Sequence, residues 1–105
     1  MTDRPGLSYA SATILQALSA GYIYGYTAME ATGLPSGTVY PALRRLEGDQ
    51  LIRSQWERPS AADAALRPPR RYYKLTRSGE TALEVLRKRH PLLAKLAPNE
   101  EVQDV

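Results

Sequence analysis

Apolar positions repeat at two different periods along this chain, and the change of period divides it into elements. Ile14, Leu15 and Leu18, with Ala10 and Ala17, recur at helical spacing. They predict a first helix from about Ser8 to Ala20, with Ser8 as its cap and Gly21 as its stop. YIYGY, Tyr22 to Tyr26, reads as a turn or short extended piece in which Gly25 supplies backbone freedom. A short second helix follows from about Tyr26 to Ala31 or Thr32, closed by Gly33. Pro35 pushes Leu34 out of the helical region, and Ser36 then caps a third helix running to about Asp49. Its inner face is Val39, Ala42, Leu43 and Leu46.

After Gly48 the period falls to two. Leu51 to Glu57 alternates Ile52, Ser54 and Trp56 against Arg53, Gln55 and Glu57, as a strand does. Arg70 to Thr76 forms a second strand, with Arg71, Tyr73 and Leu75 opposed to Tyr72 and Lys74. Residues 58–69 have loop composition. On this reading Trp56 joins Ile52 in the core, and at most one of Tyr72 and Tyr73 is buried. Thr76 caps a last helix whose apolar side is Ala82, Leu83, Val85 and Leu86. Pro91 kinks or restarts it, and Leu92, Leu93 and Leu96 make a second short stripe.

Two helices joined by a tight glycine-containing turn form a helix-turn-helix. A hairpin directly after the second of them makes a winged helix-turn-helix, mainly α with a two-stranded β-hairpin wing (α-α-α-β-β-α). Residues 1–76 are then the winged helix-turn-helix unit, 77–97 a C-terminal helix kinked near Pro91, and 98–105 a flexible tail.

Composition narrows the chemistry. A chain of 105 residues is one small domain of the size that often gains stability by pairing with a second copy. Cysteine is absent, which removes disulfides, thiolate chemistry and Cys-based zinc sites and suits a reducing cytoplasm. No apolar run approaches the roughly 20 residues of a membrane span. The first residues lack a basic leader, so neither a membrane nor a secretory route is expected. The single histidine, His90, precedes Pro91, and no His, Cys or carboxylate cluster has metal-ligand spacing, so neither an enzyme nor a cofactor is expected.

The net charge of +3 is unevenly placed. Every Lys and Arg except Arg4 lies between Arg44 and Lys95, and Arg67 to Arg77 contains no acid. Such clustering suits a polyanion. With Val39, Leu43 and Leu46 turned inward, the third helix presents Gly37, Pro41, Arg44, Arg45 and Gly48, flanked by Thr38 and Tyr40. A helix entering the major groove uses its N-terminal residues on bases and its flanks on phosphates. Arg44 and Arg45 are therefore candidates for guanine or phosphate. Ser36 and Thr38 can donate to phosphates, although Ser36 can equally be consumed as a cap. Tyr40 divides between core packing and a phenol aimed at the backbone. In the wing, Arg67, Arg70 and Arg71 are candidate contacts, with Glu57 as an alternative partner for Arg71.

The leading reading is a sequence-specific transcriptional regulator binding double-stranded DNA. Its rival is a winged-helix protein-interaction module that sets the same basic face against an acidic protein.

Tyr24-Gly25-Tyr26, TGLPSGTVYPALRRLE (32–47), Leu51-Ile52, Trp56, PPRRYYKLT (68–76) and Gly79 together resemble the PadR-like family of bacterial transcriptional regulators. The resemblance implies a cytoplasmic homodimeric repressor on a pseudo-palindromic operator, whose last helix pairs with the partner's first and last helices. The dimerisation residues would then be Ile14, Leu18, Leu83, Leu86, Leu93 and Leu96. It also implies a cavity for a small aromatic or drug-like effector, for which Tyr9, Tyr22, Tyr24 and Trp56 are candidates, each equally a packing residue. Three departures stand out. The second helix is about one turn short. Gln50 occupies a position where glycine is usual, so that either Gly48 ends the helix early or Gln50 is left-handed. The last helix is short and broken at Pro91, as in a compact branch of the family.

Overall fold

The computed structural model describes residues 7–95; Leu96 and the tail from Pro98 to Val105 lie outside the described residues. The elements are α1 (Tyr9–Ser19), α2 (Gly25–Thr32), α3 (Ser36–Gly48), β1 (Ile52–Trp56), α4 (Pro59–Ala64), β2 (Arg71–Leu75) and α5 (Arg77–Arg89). A 3₁₀ turn over Pro91–Lys95 closes the series.

α1 is the centre of the fold. Ser8 caps it by accepting from the Ser11 N–H at 3.0 Å. Ala12, Ile14, Leu15 and Leu18 join Ala28 of α2, Val39, Leu43 and Leu46 of α3, Ile52, Tyr73 and Leu83 in one core. The small residues of α1 allow α2, α3, α5 and β2 all to pack on it. Buried Gln16 satisfies its amide oxygen with the Arg87 guanidinium of α5 at 2.9 Å.

Three helices end in the same way, and the endings explain two unusual backbones. In α1 the Tyr22 N–H reaches the Ala17 carbonyl and the Gly21 N–H reaches that of Leu18, with Gly21 left-handed. α3 repeats this with Leu51 to Leu46 and Gln50 to Glu47; α4 repeats it with Arg67 to Ala62 and Leu66 to Asp63. These are Schellman closures, which need a positive φ just past the helix. Gln50 supplies it at 62° and Leu66 at 59°. Thus Gln50 is left-handed, and α3 runs through Gly48 rather than stopping short of it. Gln50→Gly should raise stability by about 0.5–1 kcal/mol, since a left-handed L-residue costs somewhat more than the extra backbone entropy of glycine. A denaturant midpoint measures it, and a midpoint at or below wild type refutes it.

β1 and β2 pair antiparallel in the register Ile52↔Leu75, Ser54↔Tyr73 and Trp56↔Arg71, with Arg53↔Lys74 and Gln55↔Tyr72 between. Ile23 and Tyr24 add a short third edge: the Tyr73 N–H donates to the Ile23 carbonyl at 2.9 Å, and Tyr24 bridges Tyr72.

Several expectations are corrected. Ser36 is not the cap of α3; Pro35 holds that position, and Ser36 is the first helical residue, exposed. The 58–69 stretch contains α4, because Pro59 is preset for a first helical position and three alanines follow at 61, 62 and 64. Trp56 is 61% exposed, at the tip end of the hairpin where the connection to β2 begins, beyond the reach of the core. Tyr72 and Tyr73 are both buried: Tyr73 faces the core, while the Ile23–Tyr24 edge and Lys74 close over the face of Tyr72. Gly25 has no positive φ, and its role is one of space, described below.

Candidate nucleic-acid interface

The sequence of α3 separates its two sides cleanly. Val39, Leu43 and Leu46 are buried, while Ser36, Gly37, Tyr40, Pro41, Arg44 and Arg45 are exposed and Thr38 is half-buried. Arg44 and Arg45 have no ion-pair partner among the described residues. A side chain on Gly37 would meet no atom of the described residues within 4 Å, so none of their packing calls for glycine there. Gly37, Thr38, Pro41, Ala42 and Arg45 form one wall of a cleft whose other wall is Ser8, Ala10 and Ser11 at the start of α1.

Tyr40 combines its two expected roles. Its ring lies over Gly25 at the start of α2, where a Cβ would stand 2.7 Å from the phenol oxygen. Glycine at this point leaves room for the ring against the start of α2, yet Tyr40 remains 39% exposed.

The hairpin meets α3 through Glu47. Its carboxylate accepts from the Ser54 hydroxyl at 2.7 Å and pairs with Arg71 at 3.5 Å, while Arg71 also donates to the Ser54 oxygen at 2.8 Å. Arg71 therefore stands on the α3 side of the wing, 5.9 Å above the Trp56 ring. Glu57, the alternative partner suggested for Arg71, lies on the opposite face and binds other groups.

Those groups form a dense polar cluster around Glu57. Arg67 donates to both carboxylate oxygens of Glu57, one at 2.8 Å. The Arg70 N–H donates at 3.0 Å, the Tyr24 hydroxyl at 3.1 Å, and the Arg70 guanidinium pairs at 3.7 Å while lying 4.0 Å over the Tyr24 ring. The hydrogen bonds from Arg67, helped by those from Arg70 and Tyr24, outweigh burial and hold the Glu57 carboxyl down at about 2. Tyr24 shifts the other way, raised by burial and by its bond to Glu57. Because the folded value lies below the ordinary 4.5, the cluster contributes its full stability above about pH 4.5 and loses it progressively as pH falls towards 2. A carbon-13 titration of the Glu57 carboxyl should therefore give a midpoint near 2; a midpoint near 4.5 would mean no such cluster.

The other candidate residues are dispersed. Ile14, Leu18, Leu83, Leu86 and Leu93 are buried within the single chain, so they present no outer face of their own. Exposed apolar area near them comes instead from Tyr9, Val85 and Leu92. Tyr9 begins α1 and contacts His90 edge-on at 5.2 Å, whereas Tyr22 follows the other end of that helix, about 16 Å along its axis. With Trp56 on the wing, these three aromatic residues do not converge within one protomer. Glu47 and the pairing of Glu57 with Arg67 were missed in sequence, where the two acids lie just before and just after the first strand and nothing in their spacing names a partner.

A family model for the transcriptional regulator PadR-like family matches residues 14–85. The chain belongs to that family. A solved PadR family transcription regulator from Clostridium difficile is 28% identical, covering 84% of this chain and 93% of its own, with a TM-score of 0.69. A PadR-like transcriptional regulator from Bacillus cereus is 26% identical over 81% and 84% of the two chains, with a TM-score of 0.63. A variant of S. aureus MepR, at 22% identity and a TM-score of 0.63, shares the fold. No curated protein matches the chain. This PadR-like protein is accordingly a DNA-binding transcriptional regulator of winged-helix fold, from a family of regulators rather than enzymes. None of its described helices is long and apolar enough to cross a membrane.

Proposed function

We propose that this PadR-like regulator represses transcription as a homodimer on a pseudo-palindromic operator, with α3 in the major groove. The observation that carries the reading is the exposed face of α3, where Arg44 and Arg45 stand without acidic partners among the described residues, on the side of α3 that the Glu47–Arg71 pair joins to the wing. Guanidinium groups left free of carboxylates are available to guanine or phosphate. Tyr9, Val85 and Leu92 supply the exposed apolar area on which a second copy would pack. A small aromatic or drug-like effector would then bind where the two copies meet, since Tyr9, Tyr22 and Trp56 do not converge in one.

Selection of bound sequences from a random duplex pool at physiological salt should return a two-fold site. Two recognition helices then fall about 34 Å apart, one turn of the duplex. Three or four phosphates neutralised by each protomer give a slope of log affinity on log salt of roughly −5 to −7. Affinity independent of salt would remove the DNA reading, and a monomer by light scattering at micromolar concentration would remove the palindrome.

A further inference from the structure

Strand register divides the three candidate arginines of the wing, Arg67, Arg70 and Arg71, between two faces. Ser54, Trp56, Tyr73 and Arg71 share the face turned to α3, where Arg71 meets Glu47. Glu57, Tyr72 and the Arg67–Arg70 pair lie on the other, against Tyr24. We propose that Glu57 is a positioning residue that withdraws Arg67 and Arg70 from DNA, leaving Arg71 as the wing contact among the three. This rests on the DNA-binding reading above.

The geometry supports withdrawal rather than loan. The Glu57 side chain is only 9% exposed and is grasped on both oxygens by Arg67. Moving Arg67 to a phosphate would strand that carboxylate, nearly buried and negative, beside a polyanion. A phosphate contact made in water returns less than the desolvated pair loses. Arg70 is held more loosely, but its backbone N–H and its guanidinium both address Glu57, and its cation rests on the Tyr24 ring. Arg71 is about as exposed as Arg70, 46% against 44%, and is itself held by Ser54, Glu47 and the Trp56 and Tyr73 rings. What sets it apart is its half-exposed partner, Glu47, and its place on the face beside the recognition helix. The cluster also anchors the C-terminal end of α4, because Arg67 follows its closing turn. The basic run of the sequence is thus partly spent inside the wing.

The test is the salt dependence of binding to the selected operator, measured with the full chain. Arg71→Gln should flatten the slope by about 0.9 per protomer, one phosphate contact. Arg67→Gln and Arg70→Gln should leave it unchanged. Glu57→Gln should steepen it by up to about 0.9 for each arginine released, even as thermal stability falls. A purely structural role for Glu57 would instead weaken binding with an unchanged or flatter slope. The proposal is overturned if Arg67→Gln or Arg70→Gln flattens the slope as much as Arg71→Gln, or if Glu57→Gln fails to steepen it. Should Glu57→Gln not fold, the three arginine variants still decide. A wild-type protein without salt dependence would refute the DNA reading itself, a distinct result.

Discussion

Gly79→Ala should lower the thermal midpoint by about 12–24 °C, the equivalent of roughly 3 kcal/mol. Helix propensity alone gives the opposite sign, because alanine is favoured over glycine in a helix by about 1 kcal/mol. What reverses it is the backbone of Leu51. A Cβ on Gly79 would lie 2.9 Å from the Leu51 carbonyl carbon and closer still to its oxygen. That carbonyl cannot step aside. It accepts from the Thr76 N–H at 3.0 Å, while the Leu51 N–H closes the end of α3 on Leu46. The Thr76 hydroxyl, in turn, donates to the Gln50 carbonyl and accepts from the Gly79 N–H. Relief therefore requires lifting α5 off the corner and losing the Thr76 cap, a cost near the top of the range for overpacking. A variant melting within about 4 °C of wild type would show that the corner yields.

Arg45→Ala should weaken operator binding by about 1–3 kcal/mol, or roughly 5- to 150-fold, without moving the melting temperature. Arg45 is exposed, unpaired among the described residues and set beside Gly37 and Pro41 in the cleft wall. Its loss opens no cavity. If Arg45 reads a guanine, the variant relaxes preference at one position of each half-site. If it holds a phosphate, affinity falls evenly over sequences and the salt slope drops by about 1. Arg44→Ala is the companion measurement. Binding within twofold of wild type for both variants would mean that α3 addresses something other than DNA.

The periodic elements were legible because their cause is local. Val39, Leu43 and Leu46 repeat at helical spacing and all three are buried; the alternation in 71–75 is that of a strand. Order alone then indicated the wing. Most of the misses have a different cause, namely contacts between segments far apart in the chain. Gly25 was read as a flexible turn, yet it answers to a ring fifteen residues away. Burial of Tyr72 depends on the edge at Tyr24, and Trp56 stays exposed because no described segment packs over the far end of β1. α4 was hidden by small side chains, whose helix-forming strength leaves no apolar stripe. Among the arginines, charge gave a cluster but not its division, since only register tells which face each one occupies.

The edge formed by Ile23 and Tyr24 has a mechanical consequence. It joins the connector between α1 and α2 to the middle of the wing by backbone, and Tyr24 reaches the hairpin end through Glu57. The wing is therefore not a free arm. Recognition helix and hairpin travel together, with no elbow between them, and a protomer meets the duplex as one stiff jaw. If two copies pair as proposed, an effector would alter grip only by turning one jaw against the other, and the spacing between half-sites is the dimension it would change.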